Sequence, residues 1–209
     1  MQHDPRTSPI VEPLFRLWSR VYDLGIFQAY YGRVHDRILE LAPPEVASAL
    51  DVGCGTGELL VKLARRWPDA RLAGLDLSAP MLAQAAAKPF AAEVELVEGS
   101  VYATPFADGE FELVTNTLSS HFYRDFPAAA RELTRVTAPG GRLMMASLGN
   151  GLRRLLPGGL GRESRMGAII HRSPREQRRV LEDAGLVVEH VESIFPVGWL
   201  YVARRAQRT

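Results

Sequence analysis

One cysteine, Cys54, stands among 209 residues, and only Lys62 and Lys88 are lysine among 25 basic residues. A lone cysteine excludes an internal disulfide and any metal site built on several thiolates, and no metal is expected. No apolar run approaches the roughly 18 residues that cross a bilayer. The opening "MQHDPRTSPIVEP" is polar and proline-bearing, unlike a secretory leader. A formal net charge of +1 removes any strong overall attraction to nucleic acid. A cytoplasmic location is expected. The charge is uneven, however: residues 151–209 hold eleven arginines against six acids.

What is present is an ordinary globular composition, 46% hydrophobic and 23% charged, with enough chain for one domain over 1–209. From Leu14 to Leu41 apolar residues recur at three and four, a helical pattern that Gly25 divides and Pro43-Pro44 ends. Short valine- and leucine-rich runs follow at 48–52, 71–76, 93–97, 111–115 and 141–147, with helical patterns at 57–67, 79–88 and 124–137. That alternation predicts a doubly wound, Rossmann-like α/β sheet, mostly parallel, with helices on both faces. Ser173, Pro174 and Glu176 open a further helix, and Gly185 stops it. Runs at 186–193 and 197–204 are joined too tightly for a parallel crossover, so they form an antiparallel hairpin. The segment 149–172 has no clean period and reads as a glycine-rich insertion.

The stretch "LDVGCGTGE" at 50–58 runs an apolar strand into Gly53, Gly55 and Gly57. A Walker loop would follow its last glycine with Lys and Ser or Thr, and here Glu58 follows. A dinucleotide fingerprint is spaced G-x-G-x-x-G, and Glu58 fills the sixth position. A carboxylate in the first turn of a helix also occupies the pole that a pyrophosphate would take. The loop suits a ligand without phosphates, and a nicotinamide oxidoreductase is disfavoured. A purely structural turn would rarely need three glycines so close. About twenty residues on, "LAGLDLS" places Asp76 at the end of the next strand, where a carboxylate can accept from a ribose diol.

"LDVGCGTG", "GLDLSAPML", "VEGSVYATPFADGEFELV" and "RELTRVTAPGGRLMM" together resemble the successive motifs of class I S-adenosylmethionine-dependent methyltransferases. The likeness covers roughly residues 48–205, and "YDLGIFQAYY" is similar to the lead-in of the small-molecule branch that includes quinone-biosynthesis enzymes. The resemblance implies S-adenosyl-L-methionine as cofactor. It implies that Asp51 reaches the loop amides or the methionine amino group, and that Gly53, Cys54, Gly55 and Gly57 bring backbone against that part. Asp76 would hold the ribose, Leu77 and Met81 would pack on the adenine, and Ser100 and Val101 match the usual Asp-Ala beside the adenine amine. Ser100 is a weaker acceptor than that aspartate. Asn116 matches a position that holds the methionine tail through its carbonyl.

Methyl transfer from a sulfonium asks for proximity, alignment and exclusion of water, and for a base only if the acceptor must lose a proton early. The candidate catalytic residues are His121 and Tyr22. Each has a plainer reading, as a packing or surface histidine and as a core tyrosine. No Asn-Pro-Pro-aromatic turn follows the fourth strand, and no cysteine lies outside the cofactor loop. Adenine and cytosine C5 methylation of nucleic acid are thereby disfavoured, as is arsenic methylation. A small-molecule or lipid-like acceptor remains, held between a helical lid at 1–41 and the 149–172 insertion. Arg153, Arg154, Arg162 and Arg165 of that insertion suit an anionic group or a peripheral membrane contact, or simply a solvated loop. A non-catalytic, cofactor-binding regulatory or partner subunit on the same fold is the alternative. The sequence fixes neither the acceptor atom nor the oligomeric state.

Overall fold

The computed structural model describes residues 25–148, 170, 172–194 and 198–207. The stretch before Gly25, with Tyr22, and nearly all of the 149–172 insertion, with Arg153, Arg154, Arg162 and Arg165, lie outside the described residues. Among those described, no helix is long and apolar enough to cross a membrane.

The chain runs α1 (Gly25–Leu41), β1 (Ser48–Val52), α2 (Glu58–Arg66), β2 (Arg71–Asp76), α3 (Ala79–Ala86), β3 (Val94–Glu98) and β4 (Phe111–Thr117). A short 3-10 turn (Ser120–Phe122) precedes α4 (Phe126–Val136), β5 (Thr137–Leu148), α5 (Pro174–Asp183), β6 (Leu186–Ile194) and β7 (Gly198–Arg205). The seven strands lie in the order β3-β2-β1-β4-β5-β7-β6. Strands β1 to β5 are parallel, and β7 is antiparallel to both β5 and β6.

Alternation along the buried strands feeds two cores. Leu50, Val52, Val114, Leu143 and Met145 face Phe126, Ala130, Leu133 and Leu181 of α4 and α5. Ala49, Leu113, Met144 and Ala146 face Val34 and Ile38 of α1 and Leu59, Leu60 and Leu63 of α2. Both faces of a parallel sheet must be covered in this way. Helix starts follow local chemistry. Asp125 accepts from Ala128 N at 3.0 Å ahead of α4, and Ser173 Oγ accepts from Glu176 N at 3.2 Å ahead of α5. Gly185, with φ +95°, ends α5. On the N-terminal side, Arg37 grips Glu192 of β6 through two bonds, 2.6 and 3.0 Å, which fixes α1 across the far end of the sheet.

The widest departure from the expected boundaries is at the fifth strand. The fifth strand begins at Thr137, directly after α4, rather than at 141. Phe111 pairs with Thr137 and the register then shifts so that Leu113 meets Arg142, which absorbs Pro139-Gly140-Gly141 as an irregularity within the ladder. A glycine is required at 141, because a Cβ would come within 2.8 Å of Glu112 O.

Candidate functional site

The strand order reverses at β1 and β4, and the crevice beyond their carboxyl ends is where such sheets place ligands. The glycine loop fills that crevice. Gly53 N and Cys54 N both donate to Leu75 O, at 2.7 and 3.1 Å, which pins the loop to the end of β2. Gly53, Gly55 and Gly57 have φ of +73°, +54° and +78°, backbone that L side chains rarely adopt.

The three glycines nevertheless serve different neighbours. A Cβ on Gly53 would sit 2.7 Å from Ser119 Oγ, and one on Gly57 would meet Ala85 Cβ at 3.0 Å. A Cβ on Gly55 would meet no protein atom within 4 Å. Gly55 therefore faces open space, and it borders both an open cleft of about 860 Å³ and a smaller adjoining pocket.

The cleft is lined by Gly53, Gly55, Asp76, Leu77, Met81, Ser100, Val101 and His121, so the structure gathers these sequence-predicted residues in one place. Asp76 Oδ2 accepts from Gly55 N and Oδ1 from Ser78 N, each at 2.8 Å. Each carboxylate oxygen keeps lone-pair capacity for a further donor. Burial raises the Asp76 pKa, opposed by hydrogen bonds from Ser78, Gly55 and Leu77.

Asp51 and Cys54 line the smaller pocket instead, with Tyr31, His35, Thr56 and Glu58. Burial pushes the Cys54 thiol well above its ordinary pKa, which makes it an inert packing group. Burial also pushes His35 down to about 4, helped by Lys62, so this imidazole is neutral. Glu58 is paired with Lys88. Gly57 and Asn116 line neither space. The Asn116 side chain turns inward, and its Nδ2 donates to Val52 O at 2.8 Å.

Asp51 is 1% exposed, and Thr115 Oγ1 donates to its Oδ1 at 2.7 Å. Burial pushes its pKa up to about 7 from 3.8, against the lowering effect of Thr115. An acid with a raised folded pKa holds its proton more tightly when folded. Its favourable contribution is complete below about pH 4 and is lost as pH rises to about 7. Asp51→Asn, which keeps the acceptor for Thr115, is expected to lose less stability than the native protein between pH 5 and pH 7.5. Urea denaturation of both proteins at the two pH values measures the difference, and identical pH slopes would show that Asp51 is not so perturbed.

Tyr31, in the helical stretch expected to act as a lid, borders both spaces from α1. Ser119, Phe122 and Tyr123, which form the wall after β4, carried no sequence signal strong enough to single them out. Leu118, with φ +51°, introduces that wall in a conformation unusual outside glycine.

Residues 50–145 match the family model described as methyltransferase domain. That match and the likenesses that follow fit a class I S-adenosylmethionine-dependent methyltransferase. A demethylmenaquinone methyltransferase of Thermus thermophilus is 38% identical over 137 residues, 65% of this chain and 61% of that protein. A malonyl-acyl-carrier-protein O-methyltransferase of Halorhodospira halophila is 39% identical over 120 residues, 56% of this chain and 41% of that one. The matched regions thus span 61% and 41% of these relatives' own length. Among solved structures, the cyclase SpnF superposes with a TM-score of 0.82 at 18% identity, covering 97% of each chain, which is a likeness of fold. The cofactor of this methyltransferase family is S-adenosylmethionine. The site fits it: Gly55 leaves an unfilled cradle, Asp76 retains two acceptor oxygens, and Leu77 and Met81 offer an apolar surface.

Proposed function

We propose that this chain transfers a methyl group from S-adenosylmethionine to a small-molecule or lipid-like acceptor by direct in-line displacement. One observation carries the reading: Gly55, open to the cleft, is hydrogen-bonded through its amide to Asp76, the acid that borders the same cleft. Loop and acid are thereby a single preformed receptor.

Asp76 accepts from the ribose hydroxyls, Leu77 and Met81 pack on the adenine, and Ser100 with Val101 meets its amine edge. Gly53 and Gly55 present backbone to the methionine part, towards Asp51. Cys54 contributes backbone only, because its thiol is buried and protonated. When bound, the cofactor supplies an electrophilic methyl on a sulfonium. The residues of the chain hold both reactants in line and keep water out. His121, buried on the cleft wall, is placed to take a proton from an acceptor that must lose one. Helix α1 brings Tyr31 to the cleft, which supports residues 1–41 as a helical lid on a single domain.

The test is a panel of candidate acceptors incubated with cofactor carrying a labelled methyl, read by mass spectrometry. A gain of one labelled methyl on one class of acceptor is expected. Tight cofactor binding with no methyl gain on any acceptor would return the non-catalytic, cofactor-binding reading.

A further inference from the structure

Asn116 at the end of β4, with Ser119 and Tyr123 of the wall that follows it, has one more hydrogen to give than the cluster can accept. Asn116 Nδ2 lies 2.8 Å from Val52 O, 2.8 Å from Ser119 Oγ and 2.7 Å from Tyr123 OH. The two hydroxyls are 2.8 Å apart. An amide nitrogen carries two hydrogens and each hydroxyl carries one. One amide hydrogen goes to Val52 O and the other to a hydroxyl oxygen. One hydroxyl then donates to its neighbour. The last O–H has no acceptor in the cluster, because Asn116 Oδ1 takes no hydrogen bond. Ser119 and Tyr123 both line the cleft, so the spare hydrogen is available there.

The cluster is held in place from all sides. Gly53 leaves room for Ser119 Oγ, which a Cβ would strike. Arg172 donates to Ser120 O at 3.1 Å and to Tyr123 O, and its guanidinium lies over the Phe126 ring at 4.9 Å. Burial raises the Tyr123 pKa above its ordinary value, against the lowering effect of Ser119 and Asn116, so the phenol keeps its proton. This is a neutral donor, not a base.

We infer that Ser119 and Tyr123 together form a hydrogen-bond donor site for an oxygen of the methyl acceptor. The acceptor class that follows is an apolar molecule carrying a carbonyl, enolate or phenolate oxygen beside its apolar body. The assignment to the acceptor, rather than the cofactor, rests on the methyltransferase reading. In that reading ribose and adenine are met by Asp76, Leu77, Ser100 and Val101, from the β2 and β3 side, and the methionine part by the backbone of Gly53 and Gly55, whereas this pair stands beyond β4, with Ser119 against Gly53, beside His121 and Phe122. The donor keeps its hydrogen throughout and fixes the orientation of the acceptor.

The donor count makes an unusual prediction for variants. Tyr123→Phe leaves Ser119 with a spare O–H, and Ser119→Ala leaves Tyr123 with one. Only the double variant has no spare O–H: its spare hydrogen is on Asn116 Nδ2, a side chain that does not line the cleft. The probes are 1-tetralone and tetralin, bicyclic molecules with and without a carbonyl, titrated into full-length protein saturated with S-adenosylhomocysteine. The readout is the ratio of their affinities. Each single variant should keep most of the native ratio, and the double variant should lower it about five-fold. Its affinity for S-adenosylhomocysteine should stay unchanged. An unchanged ratio in the double variant overturns the inference. So does a loss of S-adenosylhomocysteine affinity, which would assign the O–H to the cofactor.

Failure of the native protein to bind S-adenosylhomocysteine at all would instead overturn the methyltransferase reading. The double variant leaves an Asn116 hydrogen without an acceptor and so loses stability. Should it not fold, infrared spectroscopy on the native protein decides. The carbonyl stretch of bound 1-tetralone should move to lower frequency than in an apolar solvent, and an unshifted stretch overturns the donor site.

Discussion

Replacing Asp76 by alanine is expected to weaken S-adenosylmethionine binding by about 100-fold or more. The carboxylate has two tasks at once. It ties the glycine loop to the end of β2 through Gly55 N and the start of α3 through Ser78 N, both at 2.8 Å. Its remaining lone pairs are those we assign to the ribose hydroxyls. Two charge-assisted hydrogen bonds of about 1.5–3 kcal/mol each are lost, and about 1.4 kcal/mol is tenfold in affinity. Freeing the Gly55 amide adds an ordering cost to binding, so the larger end of the range is expected. Calorimetric titration measures it. Affinity within a few-fold of native would remove Asp76 from the ribose.

The second large effect is at Gly55. A side chain there meets no protein atom within 4 Å, so the folded protein has physical room for it. The φ of +54° costs an L residue about 1–2 kcal/mol, and a β-branched one more. Gly55→Ala should therefore fold with modest loss of stability while its cofactor affinity falls by at least about tenfold, because the methyl group fills the cradle. Gly55→Val should fold less stably and show no measurable binding. Gly53→Ala behaves differently, since its Cβ strikes Ser119 and the damage falls on the protein itself. Denaturation of the free proteins beside calorimetry separates the two. A stable Gly55→Ala protein with native affinity would mean that the ligand does not approach this backbone.

The order of elements was legible because strands buried on both faces are written as short apolar runs and helices as spaced ones. The loop and Asp76 were legible for a local reason: glycines at alternate positions and an acid at the next strand end constrain one another over a short stretch. What escaped was tertiary. The sequence treats Gly53, Gly55 and Gly57 alike, yet they meet Ser119, open space and Ala85 respectively. The expectation for Asn116 concerned its backbone carbonyl, and the sequence was silent on its side chain, which is committed to Val52 O, Ser119 and Tyr123, partners that only the folded turn brings together. Tyr31 was expected within the helical lid, but His35 reaches the site because α1 packs across the sheet, which no spacing in the sequence announces. The start of β5 at Thr137 was hidden by Pro139, Gly140 and Gly141, whose turn-like composition sits within a strand ladder.

The position of β7 bears on how the chain is assembled. β6 is made before β7, yet it joins the sheet only through β7, which lies between it and β5. While the chain emerges during synthesis, β6 has no edge on which to settle, and Glu192, which it carries, has no fixed place to offer Arg37. The parallel half, β1 to β5, can pair as it appears, whereas β6 and the anchoring of α1 to it wait for Gly198–Arg205. Contacts of such long sequence separation are slow to form. The clasp between Arg37 and Glu192, 155 positions apart, is accordingly among the last contacts to close.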